Sequence, residues 1–332
     1  MKTPFLGISF CLFILSSVQA QYIPNSAQPY QFASLLNPAF SGIDNFADIK
    51  LSYRYQWAGY GADAPRFINM AYNNRMVQPL DLAANTLRVS NASILDSDNL
   101  PKNKRIIQGF GVNFFNEHVG QIERMGGGFN YAYNYPLAKK KRLSFGASAL
   151  IDNTKVDLNK ITLRDADPYY QSLLANGSAQ TNLNIRTGVL FYSPTYYVGI
   201  SYFPILNVAL QKSDISTNQI FYKGSIQGGY FFTVAENISI RPSVMALWQT
   251  NNKLAVDYSV KGYIQNKVWC GITYRSTKSG VFLLGMNINE KISFTYAFEV
   301  PLSNYSKFAG TSHDLVLAYR FNNFRRVNAY TW

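Results

Sequence analysis

Between Ala47 and Trp57 the chain alternates without a break. Ile49, Leu51, Tyr53, Tyr55 and Trp57 fall on one side, and Asp48, Lys50, Ser52, Arg54 and Gln56 on the other. Successive side chains of a strand leave opposite faces of the pleat, so this segment reads as a strand with one apolar, aromatic face and one charged face. Lys291–Val300 has the same character, with Ile292, Phe294, Tyr296, Phe298 and Val300 opposed to Lys291, Ser293, Thr295, Ala297 and Glu299. Two architectures satisfy such a pattern. A soluble sandwich turns the apolar face to a second sheet and the polar face to water. A membrane barrel turns the apolar face to lipid and the polar face to a wet lumen.

The pattern recurs near 47–57, 66–76, 106–116, 123–135, 142–153, 184–193, 195–204, 222–233, 238–248, 254–264, 267–276, 280–288, 291–300 and 313–321. That predicts an all-β fold, a transmembrane antiparallel β-barrel of about 14 strands, because an even count and lengths near 9–11 residues suit tilted membrane strands. Connections alternate as well. Ser193-Pro194-Thr195, Ala235-Glu236-Asn237, Gln265-Asn266 and Asn289-Glu290 are short turns, whereas Thr154–Leu183, Ile205–Phe221 and Pro301–Ser312 are long polar stretches. Short turns on one side and long loops on the other is the outer-membrane arrangement. Val77–Arg105 departs from it, as a long connection on the short side. Leu87–Leu95 within it reads either as an extra strand or as part of an insert folded into the lumen.

Composition agrees with a wall of this kind: 15% of residues are aromatic and 15% charged, against about 25% charged in an average soluble domain. Residues 1–20 read as an export signal, with Lys2 ahead of the apolar run Phe5–Leu15 and Val18-Gln19-Ala20 before Gln21. Cys270 is then the only cysteine of the mature chain, which leaves no internal disulfide. Residues 21–46 read as a periplasmic leader, 47–321 as the barrel, and 322–332 as a periplasmic tail. The net charge of +13 points to anionic surfaces or acidic partners and, in an exported protein, not to nucleic acid.

On the polar faces, Lys50, Arg54, Arg241, Asp257, Lys261, Glu299 and Arg320 are lumenal partner-contact candidates, a surface able to grip a translocating or anchored segment. The plainer account is that a barrel interior has to be polar and pairs its charges to fix register. Lys139, Lys140, Lys141 and Arg142 at a short turn are periplasmic docking candidates for an acidic partner or lipid head groups, or simply a solvated charge run. Tyr53, Trp57, Tyr131, Tyr133, Trp248, Trp269 and Tyr274 read as an interfacial girdle. Catalysis finds little support. Ser312, His313 and Asp314 are consecutive on a strand and point to opposite faces, so they cannot form a triad among themselves. With two histidines and one mature cysteine, no metal cluster is expected. Neither an enzyme nor a cofactor is expected.

Several pieces resemble the PorP/SprF family of the type IX secretion system of Bacteroidota. They are Asn37-Pro38-Ala39-Phe40-Ser41-Gly42, then Arg54-Tyr55-Gln56-Trp57-Ala58-Gly59 with Ala64-Pro65, and Gly109–Asn113 followed by Glu117–Gly120. Tyr131–Tyr133, Tyr197–Ser201, Trp269–Arg275 and Ser312–Phe321 complete the match. The resemblance implies a non-enzymatic outer-membrane protein of secretion or gliding motility. It would support secretion or surface anchoring of a large adhesin through that partner's C-terminal domain, together with periplasmic secretion or gliding ring components and outer-membrane lipid. An outer-membrane channel for small solutes is the alternative, and a secreted, tyrosine-rich, glycan-binding sandwich a third.

Overall fold

Period-two alternation becomes, in the computed structural model of the chain, a closed ring of antiparallel strands. The structure describes residues 26–44, 46–76, 106–138, 141–161, 163, 165–211, 222–249, 253–265, 267–302 and 310–321. The strands are β1 (Ala47–Tyr55), β2 (Arg66–Arg75), β3 (Ile107–Val119), β4 (Ile122–Ala138), β5 (Lys141–Val156), β6 (Ala179–Tyr192), β7 (Tyr196–Gln211), β8 (Tyr222–Tyr230), β9 (Phe232–Ala235), β10 (Ile238–Gln249), β11 (Leu254–Ile264), β12 (Val268–Arg275), β13 (Ser279–Asn287), β14 (Ile292–Pro301) and β15 (Ser312–Phe321). β8 and β9 both pair with β10 and are two parts of one wall strand, broken at Phe231. The ring therefore has fourteen strands. It closes where β15 pairs with β1, from Ala47↔Phe321 to Tyr55↔His313.

The two ends of this ring differ, although 120–121 and 276–278 are short connections on the loop side and 76–106 is a long one on the turn side. On the turn side, connections at 139–140, 193–195, 236–237, 265–267 and 288–291 are tight; β1 starts and β15 ends there. The loop side carries the longer connections, including 157–178 with its helix α1 (Pro168–Asn176). Asp167 caps that helix by accepting from the Tyr169 N–H at 2.8 Å, which satisfies one of the free N–H groups of its first turn. Residues 77–105, with the predicted Leu87–Leu95 strand, lie outside the described residues, as do the predicted export signal and the tail. The wall is taller at β4, β5 and β7, with 17, 16 and 16 residues, than at β12 and β13, with 8 and 9. Sequence patterning ends β5 early and starts β6 late, because Asn153-Thr154-Lys155 and Thr181-Asn182 are polar on both faces.

Faces follow the pattern. Leu51, Tyr53, Ile68, Met70, Phe114, Phe145, Ile200, Ile226, Val260, Ile272 (61% exposed), Leu284 and Leu317 all point outward around the ring. In water this belt would far exceed the few hundred Å² that soluble surfaces leave apolar, so hydrocarbon is the medium that covers it. Rings edge the belt at the turn side: Tyr72–Phe110 and Phe110–Phe129 at 5.9 and 6.2 Å, Tyr319–Phe321 at 4.8 Å, and Tyr196–Tyr230 at 6.4 Å. Such amphipathic rings favour the membrane–water boundary. Trp269 corrects the predicted girdle. It points inward, 3% exposed, and stacks on Tyr263 at 5.7 Å.

A larger correction concerns the leader. Residues 26–44 and Phe46 do not lie outside the ring but inside it. Their side chains and backbone bond to β1, β4, β5, β6, β7, β12, β14 and β15. Only a segment within the cylinder reaches strands on all sides. The expected wet lumen is thus filled with protein. Phe32 and Leu35 pack on Ala71 and Val316, Leu36 on Phe203 and Met245, and Phe40 on Leu190, Tyr192 and Tyr197.

Candidate functional site

The inward wall and the Ser26–Phe46 segment form one site. The segment is built from short pieces: a 3-10 turn at Pro29–Phe32, a helical turn (Ala33–Leu36) and a second 3-10 turn at Pro38–Phe40. Asn37 starts the last of these, its Oδ1 accepting from the Ala39 N–H at 3.0 Å. Its Nδ2 donates to the carbonyls of Val189 on β6 and Ile200 on β7, both at 3.3 Å. Pro38 and Ala39 lie against Gly146, and Gly42 lies against Gly109, so close that a Cβ at either wall glycine would sit 2.2–2.4 Å from segment backbone. The motif Asn37–Gly42 is thus a foot set into a depression of the wall where only glycine fits.

Polar groups of the wall hold the rest. Ser144 Oγ donates to the Ala39 carbonyl at 2.8 Å, Ser201 Oγ to Leu36 at 2.9 Å, Arg186 Nη1 to Leu35 at 3.0 Å and Asn130 Nδ2 to Ser34 at 3.2 Å. Turns too short to close their own hydrogen bonds leave these carbonyls open. The wall supplies the missing donors. At the loop side, Asp314 accepts from Ser26 Oγ, the Ala27 N–H and Ser52 Oγ at 3.0, 2.9 and 3.1 Å, while Arg275 Nη2 donates to the Ser26 carbonyl at 2.6 Å.

All seven residues expected in the lumen lie on the inward face. Lys50 Nζ bridges the Gln31 carbonyl at 3.0 Å and Asp48 at 2.9 Å. Lys261 lies over the rings of Tyr30 and Trp269 at 4.6 and 5.4 Å, and Arg320 lies over Phe46 at 5.6 Å and donates to Asn287. These three touch the segment directly. Arg54 meets Glu299 at 2.7 Å, and Arg275 meets both Glu299 and Asp257 at 3.3 Å. Those four residues form one ionic network, which reaches the segment through Arg275. Arg241 stacks on Tyr263 at 3.8 Å and Phe231 at 5.1 Å. Burying a lone ion costs several kcal/mol, so charges this enclosed are tolerated only in partnership. Here the chain's own segment and its network supply the partners.

Lys139 and Lys140 lie outside the described residues. Lys141, exposed, and Arg142, half-buried, open β5 on the turn side. Sequence reasoning missed Asp314, Arg275, Arg186 and Asn37 as holders of the segment. The inward position of Asp314 was legible from alternation; its ligands were not. Ser312 and Asp314 are buried inward, whereas His313 turns outward to Tyr296 Oη at 2.7 Å, so the three share no site. A polar cavity of about 20 Å³ remains between the segment and β1–β2, lined in part by Gln31, Ser34, Asp48 and Asn73, room enough for a water.

Among solved structures the fold is similar to that of the Pseudomonas putida toluene transporter TodX, at 11% identity and TM-score 0.47, covering 92% of this chain and 95% of that one. The Acinetobacter baumannii outer membrane protein Omp33 is 11% identical, with TM-score 0.43 over 85% of this chain and 100% of its own. The CymD monoaromatic hydrocarbon channel is 10% identical, with TM-score 0.42 over 90% and 92%. No curated protein matches the chain. Residues 18–319 match the family described as type IX secretion system membrane protein PorP/SprF. With nearly the whole chain matched and an outward face made for hydrocarbon, this protein belongs to the PorP/SprF family and is an outer-membrane β-barrel component of type IX secretion.

Proposed function

We propose that this barrel supports the secretion or surface anchoring of one large adhesin-type partner in type IX secretion and gliding, and that it is not a conduit for solutes. The observation that carries the reading is the occupied lumen. A barrel whose interior is taken up by its own Ser26–Phe46 segment, hydrogen-bonded to strands on every side, has little free cross-section to conduct with. What remains for a partner is the loop-side face, with α1 and the tall β4–β7 wall, and the turn-side face with Lys141 and Arg142. In this reading the loops face outward and hold the partner's C-terminal domain, and the basic turn faces the periplasmic ring. The lumenal residues named from sequence then act on the partner only indirectly, by fixing the segment that closes the barrel.

Deleting the gene should remove one large protein from the surface proteome, and a surface proteome unchanged after deletion would count against the proposal. Purified barrel in planar bilayers should show no steady conductance; a stable open pore would favour the small-solute channel instead.

A further inference from the structure

On the turn side, one strand runs past its neighbour. Pro242 of β10 has no N–H to give, and the strand facing it parts there. β8 pairs with β10 as far as Gly229↔Ser243, and β9 resumes at Phe232↔Ile240. On the far side β7 begins at Tyr196, opposite Tyr230, and the last tie is the Phe231 N–H donating to the Thr195 carbonyl at 2.7 Å. β9 therefore continues beyond the β6–β7 turn with β10 on one side and, among the described residues, no strand on the other. All four of its residues are exposed, Val234 by 63%. β10 itself is covered by β11, through Ile238↔Ile264. A bare edge presents a row of N–H and C=O groups to which another extended chain can pair, and natural edges are blunted with lysine, proline or inward charges. Phe232, Thr233, Val234 and Ala235 include none of these, and the first three are strand formers. The one irregularity is a register shift near the strand's end, between Ile238 and Ser239 of its partner.

We propose that β9 is a strand-addition site, at which an extended, uncharged segment of a periplasmic secretion partner pairs alongside Phe232–Ala235. Other occupants fit worse. Lipid fails because hydrocarbon cannot satisfy backbone groups, and β9 continues beyond the Tyr196–Tyr230 ring pair that edges the belt. A second copy fails on symmetry. Two barrels inserted the same way in one membrane are related by a twofold axis along its normal. Wall strands tilt by about 35–45° from that normal, so equivalent β9 strands would cross at roughly 70–90° instead of lying side by side. A separate chain arriving from the periplasm has no such constraint, and its own backbone supplies the partners that the edge needs. In strand addition the main chain gives affinity and alternate side chains give specificity. Phe232 and Ile240, opposite each other and both exposed, set an apolar surface for those alternate residues. The proposal rests on the reading that the turn side faces the periplasm, and it gives the contact with the secretion ring a place and a mode.

Photo-crosslinking in cells tests it on the full-length protein. Benzoylphenylalanine replaces Val234, or Phe232 if that variant does not fold, and replaces Lys291 on another turn of the same side as the control. Heat-modifiable gel migration verifies folding. The expected result is a discrete adduct with a periplasmic protein from the β9 position and none from Lys291, mapped by mass spectrometry to an uncharged segment with alternating apolar residues. Thr233→Pro, which removes an N–H, and Ala235→Lys, which charges the edge, should each lower that adduct about tenfold. Ala235→Val, which keeps an uncharged strand former there, should leave it at the parental level. No adduct from β9, an adduct with lipid alone or with a second copy of the chain, equal yield from Lys291, or an adduct that survives the edge substitutions overturns the proposal. The readout is a periplasmic contact, so it can fail while deletion still strips the surface partner, and it can hold when deletion changes nothing.

Discussion

Asp314 is fully buried on the inner face of β15 and accepts three hydrogen bonds, two of them from the first described residues of the segment. Hydrogen bonds to a charged group contribute about 1.5–3 kcal/mol each, and leaving donors unmet costs more than the mean. Asp314→Ala should therefore lower the temperature at which the barrel loses its heat-modifiable gel shift and expose the segment's start to protease. Asp314→Asn, whose amide oxygen still accepts, should lower it less. Outward residues obey the opposite rule. Ile272→Arg places a cation in hydrocarbon at mid-strand on β12 and should cost about 2–4 kcal/mol, read as a lower urea midpoint in lipid bilayers. At this scale the face of a residue was legible wherever the two faces differ, as for Lys50 and Arg54. Trp269 was not, because Val268, Trp269, Cys270, Gly271 and Ile272 are nonpolar on both faces and alternation has nothing to choose by. Partners were not legible either. Arg54 and Glu299 are 245 residues apart, and closure of the ring brings them together.

At the scale of elements, the fourteen wall strands were readable because each is a long repeat of one simple rule. The lumenal segment was not. Its turns are three or four residues long, too short for a helical period to appear, and its Gln, Asn and Ser side chains look solvated when read alone. The wall around it shows why such a sequence is stable here: buried carbonyls of broken turns need donors, and Ser144, Arg186 and Ser201 supply them. The glycine depression sets the fit. A side chain at Gly109 would meet the Gly42 Cα and the Ser41 carbonyl at 2.4 Å, and both contacts are backbone, which cannot swing aside. Gly109→Val should therefore loosen the segment's foot without disturbing the outward face. The expected measurement is intermittent conductance in planar bilayers where the parent barrel is silent, with unchanged membrane insertion. Asn37→Ala, which removes the ties to Val189 and Ile200, should produce a weaker form of the same behaviour.

For the whole molecule, the two motifs that carry the family resemblance acquire a common meaning. Asn37–Gly42 is the foot of the segment on the turn side. Arg54 joins the ionic network beside Ser26 at the loop side, and the Trp57 N–H that follows donates to Ser312 Oγ at 3.1 Å. Sequence alone marked both motifs but could not say that they secure opposite ends of one segment, because that relation exists only once the ring has closed. On the proposed reading, a barrel whose inner segment is secured at both ends holds a shape rather than passing cargo, and the deletion experiment then takes a sharper form. Loss of the gene should strip the large surface partner while small-solute uptake stays at the parental level. Complementation with wild-type protein should restore the partner. Complementation with Asp314→Ala, folded but with the rim loosened, should restore it only partly, as the inner face of β15 loses its ties to Ser26, Ala27 and Ser52. Quantitative proteomics of intact-cell surfaces separates these outcomes, and an uptake defect that tracks deletion would instead assign the barrel to transport.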